Sequence, residues 1–231
     1  MIKVSLFGLE ITGGKIKIKD ERLDKIKELY SASKKTYLEL EVTTQDKASQ
    51  SDGLVVLKDN RLDVIIVDLE FIDKRLLSPQ EEEKKLLLSL KEALEKEKFI
   101  NEIQLTETDK DLLKQYPLLS NKPVFLVEDA AEDIQKILFS AYYRMGFINF
   151  FTAGPKEARS WSIEKDITAY DASGCIHSDI QKGFIKAEVL AYKDLIDSES
   201  FNNARSKGLV RLENRDYVIK DGDIITFRFN K

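Results

Sequence analysis

Three runs in the last third of the chain decide its fold: NFFTAGPKEARSWSI at 149–163, GCIHSDIQKGFIKAEVLAY at 174–192 and NRDYVIKDGDIITFRFN at 214–230. Residues 148–153 and 158–163 predict two strands joined at Gly154-Pro155. A helix is expected over 169–181, stopped by Gly183, then a strand over 184–192 and a short helix over 200–206. Residues 217–219 and 224–229 flank Asp221-Gly222-Asp223, a hairpin signal. A strand-rich sheet gripping one main helix is the β-grasp, or ubiquitin-like, arrangement. It is set off near Gly146, where an amphipathic helical pattern over 131–145 ends.

Upstream the pattern alternates between strand and helix. Residues 3–8 read as a buried strand and Lys-Ile-Lys-Ile-Lys at 15–19 as a second one of period two. Asp20 is placed to cap a short helix carrying Leu23 and Ile26, and residues 36–43 alternate as one strand. A polar loop over 44–53, a strand over 54–57, a short helix over 108–116 and a buried strand over 122–127 complete the reading. Residues 63–77 contain Val-Ile-Ile-Val, yet Leu62, Ile65, Leu69, Ile72 and Leu76 fall at heptad-like spacing, which predicts a helix. A second helix follows from Ser78-Pro79-Gln80-Glu81, a capping box with proline at the first helical position, and Leu87, Leu90 and Leu94 mark its buried stripe. The two make a helical hairpin over about 63–100, expected to project from the body. The domains are therefore expected at 1–146, an α/β domain, and 147–231, a β-grasp domain able to fold alone. The overall class is α/β, or α+β when the two are taken together.

With 42% apolar residues the chain can form a core, and its 34% charged residues fit solvated helices. The net charge is -4, and residues 150–231 balance 13 basic against 13 acidic residues, so no global basic footprint marks a nucleic-acid binder. A lone Cys175 excludes an internal disulfide, and one cysteine with one histidine does not furnish a zinc site, so no metal is expected. No apolar run reaches membrane-spanning length and the first residues lack a signal-peptide pattern, which points to the cytoplasm.

The C-terminal pieces Phe151-Thr152-Ala153-Gly154, Lys156-Glu157-Ala158-Arg159-Ser160-Trp161, Ile176-His177-Ser178-Asp179, Lys182-Gly183-Phe184-Ile185-Lys186-Ala187-Glu188-Val189 and Asp221-Gly222-Asp223 follow one another in an order that strongly resembles the C-terminal TGS-type (DUF933) domain of the Obg-like ATPases, the YchF family. The match covers about 80 residues without large gaps. The first half matches in fragments: Ser5 to Leu9, Lys19 to Asp24, Asn121 to Val127 and 131–146. The chain resembles a shortened relative of that family, which is built on a P-loop nucleotide-binding domain. The resemblance implies a P-loop-type α/β remnant followed by a TGS domain, and an association with nucleotides, RNA and the ribosome.

The P-loop itself is missing. Gly8 to Lys15 reads GLEITGGK, with Gly8 and Gly13 correctly spaced but Gly14 where G-x-x-x-x-G-K-[ST] requires lysine. One inserted residue recovers Lys15, yet Ile16 then replaces the Mg²⁺-binding hydroxyl. A P-loop must also open into a helix whose N-terminus helps hold the phosphates, and 15–19 is a strand pattern. The Asp-x-x-Gly sensor that the family carries is absent from Leu38 to Thr44, and its base-recognition motif reads Asp129-Ala130-Ala131-Glu132, in which Glu132 alone is kept. Gly8, Gly13, Gly14, Lys15 and Glu132 are the nucleotide-site remnants, and no cofactor is expected. Without lysine, metal and amides aimed at the γ-phosphate, phosphoryl transfer loses its electrostatic stabilisation.

His177-Ser178-Asp179 cannot form a triad from adjacent positions and reads as a polar helix end with capping roles. Cys175 reads as a small buried apolar residue. Lys186, Arg205, Lys207, Arg211 and Arg215 form a local basic cluster suited to RNA phosphates, with Tyr217 and Phe227 near it in sequence. These observations favour a non-hydrolysing binding protein that contacts RNA or the ribosome. A weak ATPase or GTPase completed across a dimer, and an adaptor using the helical hairpin, are the competing readings.

Overall fold

The computed structural model describes residues 1–11 and 13–230. Thr12, inside the Gly8–Lys15 run, lies outside them. In chain order the elements are β1 (Lys3–Phe7), β2 (Gly14–Ile18), α1 (Glu21–Leu29), β3 (Lys34–Thr36), β4 (Leu38–Thr43), β5 (Gly53–Leu57), α2 (Arg61–Leu76), α3 (Glu81–Glu95), α4 (Glu107–Leu113), β6 (Val124–Val127), α5 (Ile134–Arg144), β7 (Phe147–Ala153), β8 (Glu157–Glu164), α6 (Ala169–Ile176), α7 (Ser178–Lys182), β9 (Phe184–Ala191), α8 (Tyr192–Ser198), α9 (Phe201–Ser206), β10 (Arg211–Glu213) and β11 (Asp223–Phe229). No helix among the described residues is long and apolar enough to cross a membrane.

The chain divides into two compact units, Met1–Ile16 with Glu39–Met145, and Lys17–Leu38 with Gly146–Lys231. The second therefore begins where a C-terminal domain was expected but also claims 17–38, which sequence reasoning assigned to the first. The run 36–43 is correspondingly not one strand. Tyr37 separates β3, which pairs with β8, from β4, which pairs with β1. Period-two alternation reports that a segment is extended, not which sheet receives it.

In the first unit the strand order is β2-β4-β1-β5-β6, and β4, β1, β5 and β6 run parallel. This is a doubly wound α/β sheet, whose ligands characteristically sit outside the carboxyl ends of the strands. Phe7, Leu54, Val56 and Val124 share one buried cluster with Val64, Ile65 and Ile72 of α2 and with Leu87, Leu90 and Leu94 of α3. The helical hairpin is thus packed into the core through the very stripe that marked it, and none of those leucines remains for a partner. Its cap also lies two residues later than expected. Gln80, not Ser78, precedes α3, and the Gln80 amide donates to Glu83 Oε1 at 2.8 Å. Glu83 is buried, and Arg75 Nε and the Tyr116 hydroxyl meet the same carboxylate, so tertiary contacts set the cap register. Buried Asp68 of α2 accepts the Leu119 and Ser120 amides at 2.7 and 2.8 Å, holding the segment before β6. On the far side of β5, a Cβ at Gly53 would lie 2.4 Å from Met145 Sδ, so glycine lets the Met145 side chain at the end of α5 pack there.

In the second unit the sheet order is β10-β9-β11-β7-β8-β3. Its first five strands are in β-grasp order, with β11 parallel to β7 at the centre and β7/β8 and β9/β11 antiparallel. The sixth strand, β3, comes from the N-terminal segment. Leu23 and Ile26 of α1 are fully buried against Phe151, Leu190, Leu195 and Ile224. The expected helix over 169–181 is broken at His177, which is extended (φ -165°, ψ 140°) and whose Nδ1 accepts the Asp179 amide at 3.1 Å. Residues 217–219 form no hairpin strand. Val218 makes only an isolated bridge to Thr168, and the strand before the Asp221-Gly222-Asp223 turn is β10, which pairs with β9 on the side away from β11.

Candidate functional site

The carboxyl ends of the parallel strands bring Gly8, Thr44, Lys58–Asn60 and the turn after β6 to one rim. Gly8 has φ +78°, and a Cβ there would lie 1.9 Å from Asn60 Oδ1. The Asn60 side chain thus stands over the glycine that follows β1 and is anchored by its Nδ2 donating to Asp63 Oδ2 at 2.7 Å. Lys58 Nζ meets Glu128 Oε2 at 2.8 Å, spanning the ends of β5 and β6. Pairing with that carboxylate holds the Lys58 ammonium above its ordinary pKa. Gly13 precedes β2 and Gly14 begins it, so exposed Lys15 stands on a strand and not at a helix N-terminus. Exposed Glu132 turns back on its own loop, its Oε1 accepting the Asp129 amide at 3.4 Å. The five remnants are thus spread over a turn, a strand and a loop. Asn60, which sequence reasoning missed, follows β5 without any motif to announce it.

The five basic residues do not form one patch. In the β10/β9 register Arg211 opposes Val189 and Glu213 opposes Ala187, so this pair belongs to the face of buried Val189 and Phe227. Arg211 Nε meets Glu213 at 3.0 Å and its Nη2 donates to the Tyr217 hydroxyl at 3.1 Å. Tyr217 in turn donates to Asp223 at 2.7 Å. Burial pushes the Asp223 carboxyl up from its ordinary range, against the hydrogen bonds from Lys220 and Tyr217 that hold it down. Arg215 lies over the Tyr170 ring at 4.3 Å. Lys186, Glu188 and Arg228 occupy the opposite face. There Glu188 is approached by Arg228 and, at 3.8 Å, by Arg205 of α9, while Lys186 contacts Asn214. Lys207 is exposed just beyond α9. Arg228 is a member that sequence clustering missed, because pairing register rather than sequence distance brings it there.

Phe150, Trp161 and Phe227 fall on the Val189 face, whereas Phe151 faces α1 on the other. Tyr217 and Phe227, considered as stacking residues, are respectively tied to Asp223 and 9% exposed, so Phe227 is core. Trp161 is half-buried, with Nε1 donating to Thr152 Oγ1 at 2.9 Å and the Arg159 guanidinium 4.1 Å from its ring centre. At the end of β11 an open cleft of about 780 Å³ is lined by His177, Ile180, Lys182, Gly183 and Phe229. His177 spends Nδ1 on its helix cap, and Cys175 is exposed rather than buried as expected.

The family profile YchF-GTPase_C, described as a protein of unknown function (DUF933), matches residues 147–230. The ribosome-binding ATPase YchF of Bacillus subtilis (strain 168) is 30% identical over 236 aligned residues, which cover 73% of this chain and 64% of that protein. The chain is a relative of the YchF, or Obg-like ATPase, family. YchF of Haemophilus influenzae is 42% identical over 97 residues, 42% of this chain and 27% of that protein. Obg-like ATPase 1 of Danio rerio is 44% identical over 97 residues, 42% of this chain and 24% of that protein. The chain therefore spans less than two-thirds of the length of these YchF proteins. The Schizosaccharomyces pombe YchF GTPase shares the fold, with a TM-score of 0.79 at 18% identity over 98% of this chain and 97% of that one.

Proposed function

We propose that this chain is a non-hydrolysing YchF-like binding protein that associates with the ribosome through RNA contacts of its C-terminal unit. The observation that carries the first part is the path after β1. Among the described residues between Gly8 and Gly14 there is no helix, and Gly14 begins β2, which argues against backbone amides and a helix N-terminus gathered around a phosphate. Asn60 occupying the space over Gly8 supports the same reading. The partner is argued from the relatives named as ribosome-binding, and from Arg205 and Arg228 meeting Glu188 with Lys186 on the same face. A ribosomal partner places the chain in the cytoplasm.

Two measurements test this. Titration with fluorescent ATP and GTP analogues in Mg²⁺ buffer should show no saturable binding at low micromolar concentration. Ribosomes should pellet the protein, less so as salt rises. Saturable nucleotide binding lost in Lys15→Ala would restore a working phosphate site and defeat the first half of the proposal.

A further inference from the structure

The Val189 face of the second sheet carries a row of rings. Trp161, Phe150, Phe227, Phe184 and Tyr170 follow one another with centroids 6.4, 6.2, 6.0 and 6.1 Å apart. Phe150 and Phe227 are buried, whereas Trp161 and Tyr170 at the two ends are half-buried, each beneath an arginine. The Trp161 end differs from an ordinary structural stack in one respect. Arg159 Nε is buried and has no hydrogen-bond partner, and among the described residues Arg159 makes no ion pair. Arg211 and Arg228, by contrast, each meet a carboxylate. Buried donors in folded proteins are normally satisfied, so a guanidinium centred 4.1 Å from an indole ring with its buried Nε unpartnered points to a ligand.

The surroundings specify its chemistry. A guanidinium plane and a half-exposed indole both accept the face of a base, and stacking of this kind tolerates any sequence. Exposed Lys156 stands just before β8, and exposed Lys34 of β3, 3.3 Å from Glu157, lies beside it. These cations suit the phosphates on either side of an unstacked base, and Thr152 fixes the indole through Nε1. We propose that Arg159 and Trp161 form a stacking site for an unpaired base of single-stranded RNA, flanked by Lys34 and Lys156. The inference rests on the RNA contact proposed above and names a second point of that contact, across the sheet from Glu188.

Trp161 is the only tryptophan, so its emission reports this site alone. The full chain is titrated at low salt with a labelled oligouridylate of about ten nucleotides, following anisotropy and tryptophan emission together. Binding should quench Trp161. Arg159→Ala should weaken binding about tenfold, and Arg159→Lys, which keeps the charge but loses the plane, nearly as much. Melting curves confirm folding, and if Arg159→Ala fails to fold, Arg159→Lys decides. Binding without quenching, and indifferent to Arg159, overturns the site while leaving RNA contact elsewhere intact. No oligonucleotide binding overturns the site. Ribosome pelleting that persists yet depends on Arg159 would then assign the stack to a protein surface, since tryptophan and arginine also anchor protein interfaces. Loss of pelleting as well would remove the RNA reading itself.

Discussion

Arg22 donates from Nη1 to Asp221 Oδ2 at 2.6 Å, a bond between residues 199 apart in sequence. The same guanidinium grips Asp20, whose side chain is 4% exposed, through Nε and Nη2. Asn149 completes the arrangement, its Nδ2 donating to Asp20 and its amide to Asp221. Helix α1 is thereby fastened to the Asp221-Gly222-Asp223 turn and to β7. The paired carboxylates raise the Arg22 pKa even against burial, which alone would lower it.

Residues 147–231 alone should therefore fold poorly. Without α1, the fully buried Leu23 and Ile26 leave an apolar face bare, forfeiting roughly 3–6 kcal/mol at 1.5–3 kcal/mol per buried aliphatic side chain. The fragment should melt broadly when followed by Trp161 fluorescence, and added peptide 17–38 should sharpen the transition. A cooperative melt insensitive to the peptide would show that α1 is dispensable. In the full chain, Arg22→Ala leaves Asp20 buried without its cation and should cost about 3 kcal/mol in chemical denaturation.

The β-grasp order was legible because β7, β8, β9 and β11 each carry a strand pattern of their own. What was not legible was non-local. Lys34 to Thr36 gives no sign that it will extend the second sheet, and Arg228 neighbours Glu188 only once the β11/β9 register is known. Asn60 is an ordinary residue at a helix entry until Gly8 is placed beneath it. The missing phosphate loop was readable, since helix and strand patterns after a glycine turn cannot be confused at Lys15-Ile16-Lys17-Ile18-Lys19.

Gly8 and Asn60 should be energetically coupled. Gly8→Ala places a Cβ against Asn60 Oδ1 in a left-handed conformation and should cost about 2 kcal/mol or more. Asn60→Ala removes the closest clash but neither the approach to Leu57 Cβ at 2.9 Å nor the backbone strain. The double variant should thus be more stable than the sum of the single changes implies, by about 1 kcal/mol. Simple additivity in urea denaturation would mean that the two do not touch.

Glu83 should make the hairpin acid-sensitive. Burial pushes its carboxyl up, but the Tyr116 hydroxyl, the Gln80 amide and Arg75 together hold it below the ordinary glutamate value. A depressed carboxylate contributes stability above its unfolded pKa and loses it as pH falls through the folded value. Glu83→Gln should destabilise the chain by about 2 kcal/mol at pH 7. The gap to the parent should narrow as pH falls below the ordinary glutamate range. A difference in melting temperature unchanged between pH 7 and pH 3.5 would show that ionised Glu83 is not what the hairpin needs.

The two faces of the second sheet should respond differently to charge removal. Arg205 and Arg228 converge on Glu188, two cations on one carboxylate, with Lys186 on the same face. That surplus is available to phosphates. Removing one phosphate-binding cation should lower the slope of log K against log salt by about 0.7 for a single strand. The double change Arg205→Ala and Arg228→Ala should therefore weaken ribosome pelleting and flatten its salt dependence by about 1.4 in slope. Melting should shift modestly, because the two arginines are half exposed or more while Glu188, 15% exposed, loses both partners. Arg211 and Arg215 are already engaged, by Glu213 and Tyr217 and by the Tyr170 ring, so their removal should flatten the salt dependence less. If instead Arg211→Ala and Arg215→Ala carry the larger salt effect, the phosphates approach the Val189 face, and Arg159, Trp161 and Arg215 would line a single RNA path there.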